Sequence, residues 1–328
     1  VSDQQSTPER DAARLNLPLL VPALLFAFAL PFLVGSFSAY LLTIALSYVI
    51  LLIGLVVLTG ASGQFSLGHG AFYAIGAYTA GALMYHLDVS AYLTLPAAAL
   101  LCFVFGFLFG LVAARLAFLY LALATYGLAV ITPPVLKSRY LEDITLGVQG
   151  MYFTRPGPPA GLDMHIDRWW YLVALAVALF GSWLAWNMLR GRPGRALRAL
   201  RDHEIAALGM GIPVARYKAL AFAVSAAFAG VGGAIGGLAA DYVAPDNFRF
   251  AFSLQFVAGL VIGGMRLVAG AWIGGIALLV LPALAGRIDA DLIGAIYGAL
   301  LIGIILIAPY GLAGGYAALR ERLRARRG

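Results

Sequence analysis

The chain has 328 residues, 62% of them hydrophobic and only 11% charged, and it carries a net charge of +7. Soluble domains average about 25% charged residues; this deficit, spread over long charge-free runs, excludes a water-soluble globular fold. The positive excess sits in one loop and in the final "RERLRARR", beside apolar runs. There it reads as topology-setting and lipid-headgroup contact, and nucleic acid is a poor partner.

No Asp, Glu, Lys or Arg interrupts 15–87, 89–114, 116–136, 169–189, 219–240, 250–265, 267–286 or 292–319. A bilayer-crossing helix needs roughly 20 such residues. Inside lipid each backbone amide must pair within its own segment, so these runs are helices. The first run is too long for one crossing, and "GSFS" (35–38) and "TGASG" (59–63) are its breaks. In chain order the expected spans are 18–36, 40–58, 65–86, 91–114, 117–136, 169–189, 219–240, 250–265, 271–286 and 292–309. The expectation is an all-α polytopic membrane protein of about ten transmembrane helices, a single membrane domain over 1–328.

Charge supports the even count. With the N-terminus inside, the outer segments hold only Lys137, Arg139, Arg155, Arg168, Arg249 and Arg287, and the other sixteen basic residues lie inside. Both termini are therefore expected in the cytoplasm, including the basic tail 310–328. Asp3, Glu9, Arg10, Asp11 and Arg14 make a poor signal-peptide n-region, so the first helix is expected to stay uncleaved. Trp169, Trp170 and Tyr171 open the sixth span, with Trp183 and Trp186 near its other end, as an aromatic belt would place them.

Between the second and third spans, "GASGQFSLGHG" (60–70) mixes glycines with two serines at a membrane boundary. That pattern suits a broken or re-entrant helix lining a path, with Gln64, Ser66, Gly68 and His69 as candidate path residues. A lone buried histidine is more often a hydrogen-bonded structural residue. "GVGGAIGG" (230–237) reads as close helix packing by small residues. The outer, periplasmic loop 137–168 carries the turn-rich "RPGPPAG" and has room for a short helix or lid.

Enzyme classes fail one by one. Lys137 and Lys218 are the only lysines, and neither follows the glycine loop of a P-loop ATPase. Ser66 lacks the G-x-S-x-G elbow and an orienting acid, so no catalytic residue is expected. Four scattered histidines and the single Cys102 give no metal-ligand spacing and no intrachain disulfide. No acidic or basic residue falls inside the spans, which argues against a proton- or ion-coupled carrier. What remains is a passive path that something else drives. A channel or secondary transporter whose basic loop only sets topology stays open as the alternative.

The cytoplasmic loop 190–218 holds the densest charge. On a helical wheel Leu197, Leu200 and Leu208 share a face with Glu204, while Arg195, Arg198 and Asp202 lie opposite, with Arg198 and Asp202 spaced to pair. Gly209 and Gly211 then stop the helix, and Pro213 begins the next. A solvated membrane anchor and a docking knob for a cytoplasmic partner both fit.

The order of residues adds a resemblance. "RALRDHEIAALGMGI" followed by "YKALAFAVSAAFAGVGGAI" resembles the cytoplasmic loop and next helix of branched-chain amino acid ABC importer permeases, M-type branch. "GQFSLGHGAFYAIGAYTAG" looks like the family's Ser-Leu-Gly-His/Gln stretch, through Ser66, Leu67, Gly68, His69 and Phe72. "ALLIGIILIAPYGLAG" is similar to its final helix, so the likeness runs over about 40–315. The resemblance implies a permease subunit in the bacterial inner membrane with no cofactor of its own. It also implies a second homologous permease, identical or not, two cytoplasmic ABC ATPases that bind ATP and Mg, and a periplasmic solute-binding protein. It assigns ATPase coupling to Arg201, Asp202, Glu204, Ala206, Ala207 and Gly211. Departures fall at Arg266 and Ala271, and in "TLGVQGM", which keeps only Thr145, Gly147 and Gly150 of the family's Thr-Gly-Gly-x-x-Gly-Leu. The implied solute is accordingly a hydrophobic amino acid or a related small organic molecule.

Overall fold

The computed structural model describes residues 17–159 and 163–288, with short helical pieces between 298 and 314. The expected tenth span and the basic tail lie almost wholly outside the described residues, as do the N-terminal charges. The chain opens with α1 (Leu17–Leu33) and α2 (Ser36–Leu55), parted at Gly35 as "GSFS" suggests. α2 runs on as a π-helical turn, Val56–Ala61, and helix then stops until α3 (His69–Leu87). α4 (Ala91–Ala113), α5 (Phe118–Leu136) and the outer one-turn helix α6 (Glu142–Thr145) follow. α7 (Ile166–Arg190) leads to a pair of short helices, α8 (Arg192–Asp202) and α9 (Glu204–Gly209), in the segment expected on the cytoplasmic side. α10 (Val214–Ala240), α11 (Phe250–Gly263) and α12 (Val268–Ile288) complete the described helices.

Among the described residues six helices, against the ten spans expected, are long and apolar enough to cross a membrane: α2 with its π turn, α4, α5, α7, α10 and α12; α11 and the Leu24–Leu33 stretch of α1 are apolar but shorter. The protein is therefore a multi-pass membrane protein, built mainly of helices. One departure from the all-α expectation is found among the described residues. β1 (Met151–Tyr152) pairs antiparallel with β2 (Tyr242–Val243) on the outer face. Gly150, at φ +72, turns the outer loop back so that it reaches the end of α10.

Lipid chains are as apolar as leucine, so helices in a bilayer associate through close van der Waals contact more than through a hydrophobic drive. α10 supplies that contact to three neighbours at once. A methyl group at Gly233 would collide with the Tyr73 carbonyl of α3, and one at Gly232 would lie 2.6 Å from the Ser47 carbonyl of α2. At Gly230 it would strike 2.8 Å from the Ala98 carbonyl of α4. Gly236 leaves room for the Tyr73 hydroxyl, which lies 2.9 Å from Ser47 Oγ. "GVGGAIGG" is thus a packing device, as its composition suggests. Around Tyr73, the rings of Tyr48, Phe248, Phe252 and Phe256 interlock at centroid distances of 5.3–6.3 Å, binding α11 to the same core.

The outer strap is pinned by polar contacts. Arg155 is buried and donates to Asp167 Oδ1 at 2.7 Å, while its Nε lies 3.2 Å from Asp241 Oδ1 at an angle that forms no hydrogen bond. Burial pushes the Asp241 carboxyl above the usual carboxylate range, and Arg155 opposes the shift. Trp170 departs from the aromatic-belt expectation. It is fully buried, stacks on Tyr92 at 5.6 Å and donates Nε1 to the Pro156 carbonyl, because the strap folds over it and shields it from lipid. Trp183 is exposed, as the belt requires.

Gly233→Leu should lower stability by about 1–3 kcal/mol or more through overpacking. Gly127→Ala, where nothing lies within 4 Å, should be neutral or stabilising by roughly 0.5–1 kcal/mol. Thermal unfolding in detergent, followed by size exclusion, measures both. An unchanged midpoint for Gly233→Leu would count against the close approach.

Candidate functional site

The end of a helix leaves carbonyls without intrahelical partners, and in a membrane they must be satisfied by other protein groups. At the end of α2, Leu58 O accepts from Ser62 Oγ at 2.6 Å and from the Gln64 amide at 3.3 Å. Thr59 Oγ1 donates to the Gln64 carbonyl at 3.1 Å. The Gly60 carbonyl is met from another element altogether: Arg201 of α8 donates Nη1 to it at 2.7 Å. Gly63, at φ +72, turns the chain away, and a Cβ there would lie 2.8 Å from Arg201 Cγ.

Gln64, Ser66, Gly68 and His69 are all buried, and the structure gathers them into one knot. Gln64 Nε2 donates to Ser62 Oγ at 2.9 Å and to the Lys218 carbonyl at 3.1 Å, while its Oε1 has no partner. His69 bridges two helices, with Nδ1 2.8 Å from Ser66 Oγ and Nε2 2.7 Å from Ser225 Oγ of α10. The Leu67 amide donates to Thr125 Oγ1 of α5 at 3.0 Å, and the Gly70 amide to Ser253 Oγ of α11 at 3.1 Å. Gly68 allows α5 to come close, since a Cβ would lie 2.5 Å from the Thr125 carbonyl. None of the four lines the outer cleft of about 510 Å³ bounded by Met84, Tyr85, Ser90, Tyr152 and Thr154. The segment is a polar seam sewn to three helices. The roles of Thr125, Ser225, Ser253 and Lys218 were missed by reading the sequence: Lys218 and Ser225 stand in the stretch that carries the resemblance, but nothing in it says that they meet Gln64 and His69.

In the charged segment 190–218 the expected single amphipathic helix is two. His203 adopts an extended backbone (φ −152, ψ 95) between α8 and α9. This break corrects the helical wheel. Leu197 and Leu200 are buried with Ala207, but Leu208 is 62% exposed because α9 starts on a new axis. Arg198 bonds the Leu189 carbonyl at 2.9 Å, and Asp202 pairs with Arg201 at 3.0 Å in place of Arg198. Ile205 (89% exposed), Leu208 and Met210 (74%) therefore form an apolar ridge at the surface. The wheel hid this ridge by running through His203. Gly211, at φ +80, closes α9 with the Ile212 amide bonded to the Ala207 carbonyl at 3.1 Å.

The assigned coupling residues divide accordingly. Asp202, Glu204, Ala206 and Gly211 are exposed, and Ala207 is buried under α9. Arg201 turns inward to Gly60. Glu204 Oε2 is held by Lys218 Nζ at 2.7 Å, which fixes α9 against the start of α10. In the outer loop, Leu146 lies at φ +57, the left-handed region that favours glycine, at the position where the resemblance places one.

Comparison with known proteins follows the same lines. Residues 37–308 match the family model described as the branched-chain amino acid transport system / permease component. The high-affinity branched-chain amino acid transport system permease protein LivM of Escherichia coli (strain K12) is 35% identical over 282 residues, covering 79% of this chain and 66% of the relative. LivM of Salmonella typhimurium is 36% identical with the same coverage. The probable branched-chain amino acid transport permease protein LivH of Methanocaldococcus jannaschii is 26% identical over 81% of this chain and 88% of the relative. The chain thus spans just under two thirds of the length of the LivM relatives it matches. No solved structure matches it.

His69→Phe should strand the Ser66 and Ser225 hydroxyls and cost roughly 1–3 kcal/mol, since hydrogen bonds between membrane helices average about 0.6 and reach about 1.7 kcal/mol each. Ser225→Ala should cost less, because the imidazole keeps Ser66. Thermal unfolding in detergent reads both, and a wild-type midpoint for His69→Phe would mean that the bridge contributes nothing.

Proposed function

The chain belongs to the family of branched-chain amino acid transport system permease components, and on that premise we propose that it is the membrane-spanning subunit of an ATP-driven importer. Its solute is a branched-chain or other hydrophobic amino acid, or a related small organic molecule, in keeping with the names of its relatives. The observation that carries this reading is the ridge of Ile205, Leu208 and Met210, raised on a short helix outside the apolar spans. An apolar ridge in water, held rigid by Glu204–Lys218, fits a groove in a cytoplasmic protein. The chain has no P-loop of its own, so the partner it docks is the ATPase, in two copies for a paired permease. ATP and Mg bind there, and this chain hydrolyses nothing.

The topology belongs to the same proposal. Ten spans place α8, α9 and both termini in the cytoplasm of a bacterial inner membrane, and the Arg155 strap in the periplasm, where a binding protein delivers solute. A second homologous permease completes the path. Among the described residues His69 is the one buried histidine, and both its nitrogens are taken up by serines; His86, at the end of the same helix, is exposed and meets the Ile144 carbonyl. Among the described residues that leaves no free buried histidine to couple transport to a proton gradient.

Ile205→Glu or Leu208→Glu should cut ATPase co-purification about tenfold or more, as expected when a charge replaces a central interface anchor, while membrane insertion stays normal. Uptake in vesicles should require ATP and the binding protein, and persist when an uncoupler collapses the proton gradient at constant ATP. Gradient-driven uptake by this chain alone would establish the secondary transporter instead.

A further inference from the structure

A route from the cytoplasmic pair to the membrane core is visible in four contacts. Arg201 of α8 donates to the Gly60 carbonyl, at the end of the π turn, at 2.7 Å. Its aliphatic stem covers Gly63, the residue whose left-handed backbone turns the chain out of α2. The Lys218 backbone carbonyl, at the start of α10, accepts from Gln64 Nε2, while the Lys218 ammonium holds Glu204 of α9. Both cytoplasmic helices are thus tied to the same short segment, from two sides. That segment continues through Ser66 into His69 and the bridge to Ser225.

We propose that Arg201 is the positioning residue of the broken helix, holding its end to the cytoplasmic helix pair so that displacement of the pair shifts segment 60–69. A guanidinium at the C-terminal end of a helix is favoured by the helix dipole and satisfies a carbonyl that has no partner in its own helix. Arg201 supplies both to α2 from a distant part of the chain. A π turn is a single-residue irregularity inside a helix, common at functional sites and less regular than the α-helix around it. It gives way more readily than α10, whose glycines lock it on three sides. A pull on α8 therefore reaches the π turn while the core stays in place. Asp202, exposed and bonded to Arg201 Nε at 3.0 Å, orients the guanidinium without competing for the nitrogen that reaches Gly60.

This inference rests on the permease reading, and the test separates the two. The importer is reconstituted with its ATPases, second permease and binding protein, and uptake per ATP hydrolysed is measured for wild type, R201A, R201K and R198A. Arg198 bonds only the Leu189 carbonyl at the α7–α8 corner and serves as the charge control. With R201A the ATPases should still co-purify, while uptake per ATP falls about tenfold, the order expected for loss of a charge-assisted hydrogen bond. R201K should recover part of the loss, and R198A should match wild type. A second readout follows segment movement. Phe65→Cys can be labelled selectively because Cys102, the native cysteine, is fully buried. Its labelling rate should change between nucleotide-free and ATP-trapped states in an otherwise wild-type chain, and should not change with R201A. Wild-type coupling and labelling in R201A overturn the proposal, and so does loss of ATPase binding, which would make Arg201 a docking residue. Should R201A fail to accumulate, R201Q is read in the same way: its neutral, shorter donor should couple weakly, and wild-type coupling refutes the positioning role. A wild-type chain that binds no ATPase refutes the permease reading and leaves the geometry of Arg201 without this use.

Discussion

The close approach of α10 to α2, α3 and α4 is the constraint on which the rest of the molecule depends. Glycines at 230, 232, 233 and 236 remove the side chains that would hold these helices apart. Backbone carbonyls of neighbouring helices then come within van der Waals reach of α10, where dispersion, weak for any single atom pair, adds up. Hydrophobic burial cannot do this in a bilayer, since a helix leaving lipid for protein exchanges one apolar surface for another. α2 and α10 are consequently the most enclosed spans, and α4, α5 and α7 keep large exposed apolar faces for lipid or a second membrane subunit.

A rigid centre of this kind makes the interruption at 56–68 meaningful. Had α2 continued as a regular helix through Gly60, its carbonyls would need no outside help. Because it opens into a π turn and stops, each freed polar group needs a partner, and the partners are drawn from α5, α8, α10 and α11. The seam is therefore specific in a way that helix packing is not. Removing one hydroxyl or the imidazole strands a named partner in a medium without water, where orphaned polar groups are costly. Gln64 Oε1, buried without a partner, is the one place where the seam is incomplete among the described residues.

The cytoplasmic pair combines two chemistries that are usually kept apart. Its inner side buries Leu197, Leu200 and Ala207 and sends Arg201 to Gly60, while its outer side carries Ile205, Leu208 and Met210. A loop that only anchored itself to the membrane would not need an apolar ridge on its exposed side. The bend at His203 creates this ridge by turning α9 away from the axis of α8.

Charge-free runs were enough, by themselves, to establish a multi-pass helical membrane protein, because the cost of burying a charge in lipid exceeds any local preference; they did not fix the count, since six of the ten expected spans are long and apolar enough among the described residues. The helix break near Gly60 and the packing role of "GVGGAIGG" were legible for the same kind of reason: glycine acts through its own backbone, and its effect is local. The order Arg-Asp-x-Glu followed by two alanines was enough to point to the family. Other features had no local cause. Leu208 faces water, Trp170 is buried, Arg198 leaves Asp202 to Arg201, and a two-residue ladder joins 151–152 to 242–243. Each depends on what a distant segment places opposite, such as the strap over Trp170 or the Leu189 carbonyl beside Arg198. The link from Arg201 to Gly60 spans 141 positions. No periodicity or motif connects the two residues; only the packing of α8 under the end of α2 brings the guanidinium to the Gly60 carbonyl.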